Sequence, residues 1–223
     1  MKRFILYTLL LLSCLPALAQ TQEAAEKHVL GLQVGNSFVN GSFNKSAFED
    51  EYPAFARDGL LLSGTYRYHL GRYLAAGASA SYRHNRYNLN NFAEPGDELV
   101  TGKSSTAWRS WFTLADAYLL VPVHEEVEVY LRGSAGASFN RSASWQVQTT
   151  YGDINMPADK ATALALGWGS GIGFRVAPFW VVAEAGMLYT KPRFTVPDTR
   201  GNLMQHRQPM NTFNLSLGIQ YRL

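Results

Sequence analysis

Cysteine is all but missing from this chain of 223 residues, with Cys14 the only one. A single thiol near the N-terminus excludes a disulfide framework and leaves the body of the chain without a thiol nucleophile. Charge is also scarce. Asp, Glu, Lys and Arg make up 17% of the residues, against roughly 25% in ordinary soluble domains. Long apolar runs are lacking as well. Hydrophobic residues reach 47%, yet mean hydropathy is −0.13, so the chain is no bundle of membrane-spanning helices. Its 13% aromatic content and low net charge exclude a disordered chain. No linker, second domain or repeat of supersecondary units is visible. What remains is a chain whose apolar residues are spread thinly, at every second position.

The N-terminus carries an export pattern. Met1, Lys2 and Arg3 form a basic start, and residues 4–12 form an apolar stretch too short to cross a bilayer. Leu15-Pro16-Ala17-Leu18-Ala19 then supplies an A-x-A site, so a signal peptide of residues 1–19 is expected to be cleaved before Gln20. Leu11-Leu12-Ser13-Cys14 loosely resembles a lipidation box, the alternative in which Cys14 is acylated rather than removed. Cleavage takes away two bases and no acid, leaving eighteen bases against seventeen acids. That near balance gives no electrostatic basis for binding nucleic acid, and no such partner is expected.

Eight alternating segments follow. The positions of the apolar stripe are Leu30, Leu32, Val34, Asn36 and Phe38 in the first and Leu62, Gly64, Tyr66, Tyr68 and Leu70 in the second. Leu74, Ala76, Ala78, Ala80 and Tyr82 mark the third. Every second residue of 111–123, 127–139, 164–176, 181–189 and 213–223 completes the set. The connections alternate in length. Residues 40–59, 90–109, 146–163 and 195–210 form long polar loops, whereas Gly71-Arg72, His124-Glu125-Glu126 and the vicinity of Pro178 are tight turns. This asymmetry predicts an all-β fold, an eight-stranded antiparallel up-and-down transmembrane barrel over residues 28–223. Both termini then lie with the tight turns on the periplasmic side, residues 20–27 forming a short leading segment, and the four long loops are extracellular.

A soluble barrel would show the same period with its faces reversed, so the charges decide. None falls on the apolar stripe of any segment, where a cation at mid-membrane would cost ~2–4 kcal/mol. The opposite stripe mixes Gln33, Arg67, His69, Arg83, Asp116, Tyr130, Arg132, Glu184, Gln220 and Arg222 with Gly, Ala and Ser. Such a mixture suits a crowded eight-strand interior. Aromatic residues on the apolar stripe, such as Tyr66, Trp111, Trp168 and Tyr221, suit an interfacial girdle. The fourth segment departs from the pattern, because Phe112, Leu114, Tyr118 and Leu120 make its inner face nearly as apolar as its outer.

With its signal peptide, strand count and closing segment 211–223, the chain resembles the small eight-stranded outer-membrane barrels of the OmpA/OmpX type, a porin-like family of Gram-negative bacteria. The resemblance covers residues 28–223 and implies the outer membrane as location, with contacts to outer-membrane lipid and lipopolysaccharide. It also implies the barrel-assembly machinery as a partner during insertion. Such barrels usually end in an aromatic residue; here Leu223 is last and Tyr221 stands two before it.

The inward charges are the first candidate site. Arg67, Arg83, Arg132, Arg175 and Arg222 face Asp116, Glu128 and Glu184, with His69, Tyr130 and Gln220 among them, and Asp116 is expected to pair directly with Arg132. Buried ionisable groups can line an ion path or gate. Eight strands leave no continuous channel, however, which favours a packed structural network. The run Gly167-Trp168-Gly169-Ser170-Gly171-Ile172-Gly173 has a strict spacing of two, unlike a phosphate loop, and turns four glycines inward beside bulky neighbours. His124-Glu125-Glu126 lacks the second histidine of a zinc motif, and Glu49-Asp50-Glu51 lacks regular ligand spacing. Neither metal nor cofactor is expected. Lys191, Arg193, Arg200 and Arg207 near the outer rim suit lipopolysaccharide phosphates.

Known eight-stranded outer-membrane enzymes remodel lipid A, and hydrolysis on that pattern needs His, Ser and a carboxylate together at the rim. His84 and His206 are the only rim histidines, and Asp97 or Glu98 with Ser104 or Ser105 would have to join His84. Neither histidine begins an H-x-S pair, so no catalytic residue is assigned. The reading is a monomeric, non-catalytic barrel whose four loops carry a structural, envelope or surface-interaction role toward an extracellular partner of unknown kind. Loop aromatics such as Phe43, Phe48, Tyr52 and Phe55 are expected to anchor that partner. A lipid A-modifying enzyme and a narrow channel are the alternatives.

Overall fold

Thirteen strands are present in the computed structural model, which describes residues 27–47, 53–92, 98–197 and 203–223. They are β1 (His28–Asn40), β2 (Ala56–His69), β3 (Leu74–Tyr87), β4 (Val100–Ser105), β5 (Trp108–His124), β6 (Val127–Arg141) and β7 (Trp145–Thr149). β8 (Gly152–Met156), β9 (Lys160–Val176), β10 (Phe179–Thr190), β11 (Arg193–Pro197), β12 (Leu203–Arg207) and β13 (Asn211–Arg222) follow. The eight longest, β1, β2, β3, β5, β6, β9, β10 and β13, form a closed antiparallel barrel. β1 and β13 complete it along their whole length, from Val29 opposite Arg222 to Asn40 opposite Asn211. Closure leaves no strand edge, which a spanning sheet requires in hydrocarbon. The expected signal peptide, residues 48–52 with the acidic cluster Glu49-Asp50-Glu51, Phe48 and Tyr52, and also Asp97 and Arg200 lie outside the described residues.

The side-chain alternation is that of a barrel turned toward lipid. Leu32, Trp168 and Leu217 are at least 60% exposed on the wall, while Tyr130 and Leu120, on the other stripe, are 1% exposed. Such an apolar wall would be unstable in water at roughly 25 cal/mol per Å2 and is stable against hydrocarbon. At the short-turn end the Leu70 and Gly71 amides donate to the Leu74 carbonyl, and Ala177-Pro178 is a cis peptide in the β9–β10 turn.

The long connections are more ordered than polar loops. β4, β7 and β8 form a three-stranded sheet from the second and third connections, and β11 and β12 form a hairpin in the fourth. The barrel strands also run further out than their apolar stripes, with β2 starting at Ala56 across a bulge between Ala56 and Gly59. Apolarity stops at the membrane surface, whereas backbone pairing continues into water.

Candidate functional site

The lumen is filled in layers. At the short-turn end Glu128 accepts two ion pairs, from Arg67 Nη2 at 2.9 Å and from Arg222 Nη2 at 3.0 Å. Arg67 also donates to Gln220 Oε1 at 3.4 Å and lies over the rings of Tyr118 and Tyr130, and the Arg222 guanidinium sits 3.8 Å from the centre of the Trp180 ring. His69 lies half-buried at the same end of β2. Midway, Glu184 accepts from Tyr130 Oη at 2.7 Å and pairs with Arg132 at 2.8 Å. Gly171 makes room for this, because a Cβ there would clash with the phenol end of Tyr130.

Next comes a dry layer of Phe112, Leu114, Ala165 and Leu188. The apolar inner face of β5 therefore belongs to the lumen, as do Tyr118 and Leu120 in a second apolar cluster with Ala75, Tyr130 and Val182. Above it Arg83 is almost fully buried. It donates to the Met210 carbonyl and Thr212 Oγ1, both at 3.1 Å, and to Ser110 Oγ at 3.3 Å, between the rings of Phe43 and Phe112. Its partners are neutral, not the acids expected to face it.

The structure therefore brings Arg67, Tyr130, Arg132, Glu184, Gln220 and Arg222 into one hydrogen-bonded and ion-paired interior and, besides Arg83, parts two other residues from it. Arg175 is exposed at the short-turn end of β9, opposite Trp180 on β10. The strand parity there carries little weight once the side chain can leave the mouth for water. Asp116 does not pair with Arg132. Its Oδ1 accepts from Ser134 Oγ and its Oδ2 is buried without a hydrogen bond, because the register sets Asp116 opposite Ser134 and Arg132 opposite Tyr118.

Over the mouth at the long-loop end the connections build an apolar cap of Phe43, Ala54, Ala56, Trp108, Ala143, Phe194 and Met210. Trp108 is its centre. The ring stacks edge-on with Phe43 at 5.6 Å and Phe194 at 5.8 Å, and its Nε1 donates to the Ala54 carbonyl at 3.1 Å. Phe43 and Phe55 are buried in or beside this cap and not offered to a partner as expected. Phe55 holds a left-handed conformation with φ of 46°. Beside the cap lies a cleft of about 290 Å3 lined by Tyr87, Trp145, Asp159 and His206. The sequence reading missed Trp108, Phe194 and Met210, which stand beyond the apolar stripes; the parity of Trp108 with Ser110 and Phe112 was the available signal.

Of the remaining candidates, His84 stands on the barrel wall between Leu60 and Arg109, whereas Ser104 and Ser105 lie in the separate β4–β7–β8 sheet opposite Gln146 and Trp145. Lys191, Arg193 and Arg207 are exposed at the long-loop end, the two arginines directly opposite each other on the β11–β12 hairpin. His124 closes the β5–β6 turn, its ring facing the Glu126 amide.

A closed antiparallel barrel with an uncharged apolar wall, aromatic residues at its borders and a side-chain-filled lumen defines an integral outer-membrane β-barrel protein. The chain belongs to the outer membrane protein beta-barrel domain family, whose model matches residues 7–222. Among solved structures it is similar to Neisserial surface protein A (NspA), at 15% identity over 91% of this chain and 100% of that one, with a TM-score of 0.50. It is also similar to a major outer membrane protein from Thermus thermophilus, at 15% identity over 88% and 99% of the two chains, with a TM-score of 0.54. At such identities the likeness is one of fold. No curated protein matches the sequence.

Proposed function

We propose that the protein is a non-catalytic surface-interaction protein whose partner-binding region is the strand-built superstructure on the long-loop end, the end that faces outward in outer-membrane barrels. One observation carries the reading. Large apolar side chains stand exposed on that superstructure, beyond the membrane-facing wall: Tyr151 at 88%, Leu203 at 74%, and Leu99, Ile154 and Met204 near half. No lipid covers them there, and neighbouring apolar side chains left in water, as Leu203 beside Met204 on β12 and Tyr151 near Ile154 on the β7–β8 hairpin are, mark an interaction site. Ile154, Leu203 and Met204 stand on the paired strands of β7–β8 and β11–β12, and Tyr151 in the tight turn between β7 and β8, so binding would not have to order a floppy loop there.

Cells displaying the wild type are expected to adhere to polystyrene and to one another more than cells displaying the variant Tyr151→Ser, Ile154→Ser, Leu203→Ser, Met204→Ser. A heat-dependent gel shift confirms equal insertion of the two. Equal adhesion would discard the reading. The filled lumen supports the same assignment against a narrow channel, and planar-bilayer recordings are expected to show no discrete conductance.

A further inference from the structure

Four basic residues on four neighbouring barrel strands stand in one cross-strand row. His84 on β3 is opposite Arg109 on β5, Arg109 opposite Arg141 on β6, and Arg141 opposite Lys160 on β9. Directly opposed residues have Cβ atoms about 5 Å apart, so the row spans on the order of 15 Å. Like charges in that position repel. Among the described residues neither Arg109, Arg141 nor Lys160 has a carboxylate partner, and all three are exposed. Asp159, the nearest acid in sequence, forms no ion pair with them. Its two oxygens accept from the backbone amides of Lys160 and Thr195, both at 2.7 Å.

The surface below the row matches an amphiphile. One rung inward on the same face come Tyr82, Trp111, Phe139 and Thr162, again directly opposed, and a groove of about 530 Å3 lies between the two rows. Below the aromatics the wall on β3, β5 and β6 is made of small side chains, Ala80, Thr113 and Ala137, then Ala78, Ala115 and Ala135, bordered on β9 by Leu164 and Leu166. The far side of the barrel has neither feature. There the border pairs are Phe38 with Phe213 and Asn40 with Asn211, and the wall is built of Leu30, Leu32, Leu215 and Leu217.

We propose that this row is a binding site for the phosphates of an anionic glycolipid headgroup in the outer leaflet, whose acyl chains lie in the shallow strip of small residues below. The two guanidinium groups can each grip a phosphate through two parallel N–H bonds, and Lys160 adds a compact third charge. The repulsion along the row is then relieved by the ligand, and the aromatic rung marks the depth at which headgroup gives way to chain. The proposal rests on the outward orientation of the long-loop end, as the proposed function does.

The test uses the purified full chain in detergent micelles, with bis-phosphorylated lipid A as probe and native mass spectrometry to count retained lipid. The wild type is expected to keep bound lipid A. The variant Arg109→Gln, Arg141→Gln, Lys160→Gln should bind it at least about tenfold more weakly, since each lost cation removes charge-assisted bonds. A charge-matched variant at the other end, Lys27→Gln, Arg72→Gln, Arg175→Gln, should keep it. Arg141→Gln alone, at the centre of the row, should give a smaller loss and serves if the triple variant folds poorly by the heat-shift gel.

Equal retention by the Arg109, Arg141 and Lys160 variants, or equal retention of dephosphorylated lipid A by the wild type, would overturn the site. So would displacement by millimolar inorganic phosphate, which would assign the row to free anions. Arg109→Cys labelled on intact cells by a membrane-impermeant maleimide reports orientation separately. Labelling together with failed lipid binding strikes the site and leaves the orientation standing.

Discussion

The two mouths of the barrel are stopped by opposite chemistry. At the short-turn end the turns are too small to cover anything, so long strand side chains must reach across the opening, and Arg67, Arg222, Glu128 and Trp180 do so. At the long-loop end, chain is plentiful, and Phe43 from the first connection, Trp108 from the start of β5 and Phe194 and Met210 from the fourth connection make an apolar lid. The energetics differ accordingly. Two cations sharing one buried carboxylate form an all-or-none arrangement, because removing a single member leaves charge uncompensated in a dry interior. An apolar lid loses contact area in proportion to what is removed. The short-turn plug should therefore be bound to the integrity of the whole barrel, and the lid should yield locally.

Glu128→Ala tests the strong half of that contrast and carries the largest expected effect. Arg67, whose side chain is 3% exposed, and Arg222 would both lose their counter-ion. A loss of about 3–5 kcal/mol is expected from breaking a buried pair on one side. A urea titration in micelles, read by the heat-shift gel, would show it as a lower midpoint for the entire barrel. A loss below about 1 kcal/mol would mean that water at the mouth compensates the two arginines, and the contrast between the ends would fail.

Trp108→Ala tests the lid. Removing a buried tryptophan costs about 3–5 kcal/mol where the structure cannot collapse. Here the cost should fall on the cap alone, because Trp108 packs against Phe43 and Phe194 from the loops and holds the Ala54 carbonyl. Protease added to intact cells should cleave the outer connections of the variant faster, while the urea midpoint of the barrel moves less than in Glu128→Ala. Equal midpoint losses would show that lid and barrel unfold as one unit.

Legibility in the sequence divides along the same line. The eight strands and their turns are readable because one face meets hydrocarbon, and every second residue from Trp111 to Val121 is exposed on that wall. The ion-paired plug is partly readable from parity alone, which puts Arg67, Arg222 and Glu128 on the inner stripe. Parity cannot fix partners, since these depend on register and barrel stagger. Arg132 lies opposite Tyr118 and reaches Glu184 instead of Asp116. The lid is scarcely readable. It assembles from residues far apart in sequence, such as Phe43 and Phe194, whose surroundings are polar and carry no period. The small outer sheet leaves one trace, the alternation Trp145-Gln146-Val147-Gln148-Thr149 in β7, which is too short to stand out from a loop.

Arg83 sits between the two regimes and gives the smallest expected effect. It is a buried cation, yet it belongs to the long-loop half and has no carboxylate partner among the described residues. Its bonds go to the Met210 carbonyl, Thr212 Oγ1 and Ser110 Oγ, and its flanks are the rings of Phe43 and Phe112. Desolvating a guanidinium is expensive, and replacing a buried charge by an apolar side chain of similar length is often neutral or favourable. Arg83→Met keeps the packing between the two rings. The Thr212 and Ser110 hydroxyls can turn to other acceptors, which leaves the Met210 carbonyl as the main loss, worth about 1–3 kcal/mol before the recovered desolvation is counted. The net change in the urea midpoint should correspond to less than about 1 kcal/mol, in contrast to Glu128→Ala. A loss as large as that of Glu128→Ala would show that charge also holds the outer half together, and the division between an ionic plug and an apolar lid would have to be abandoned.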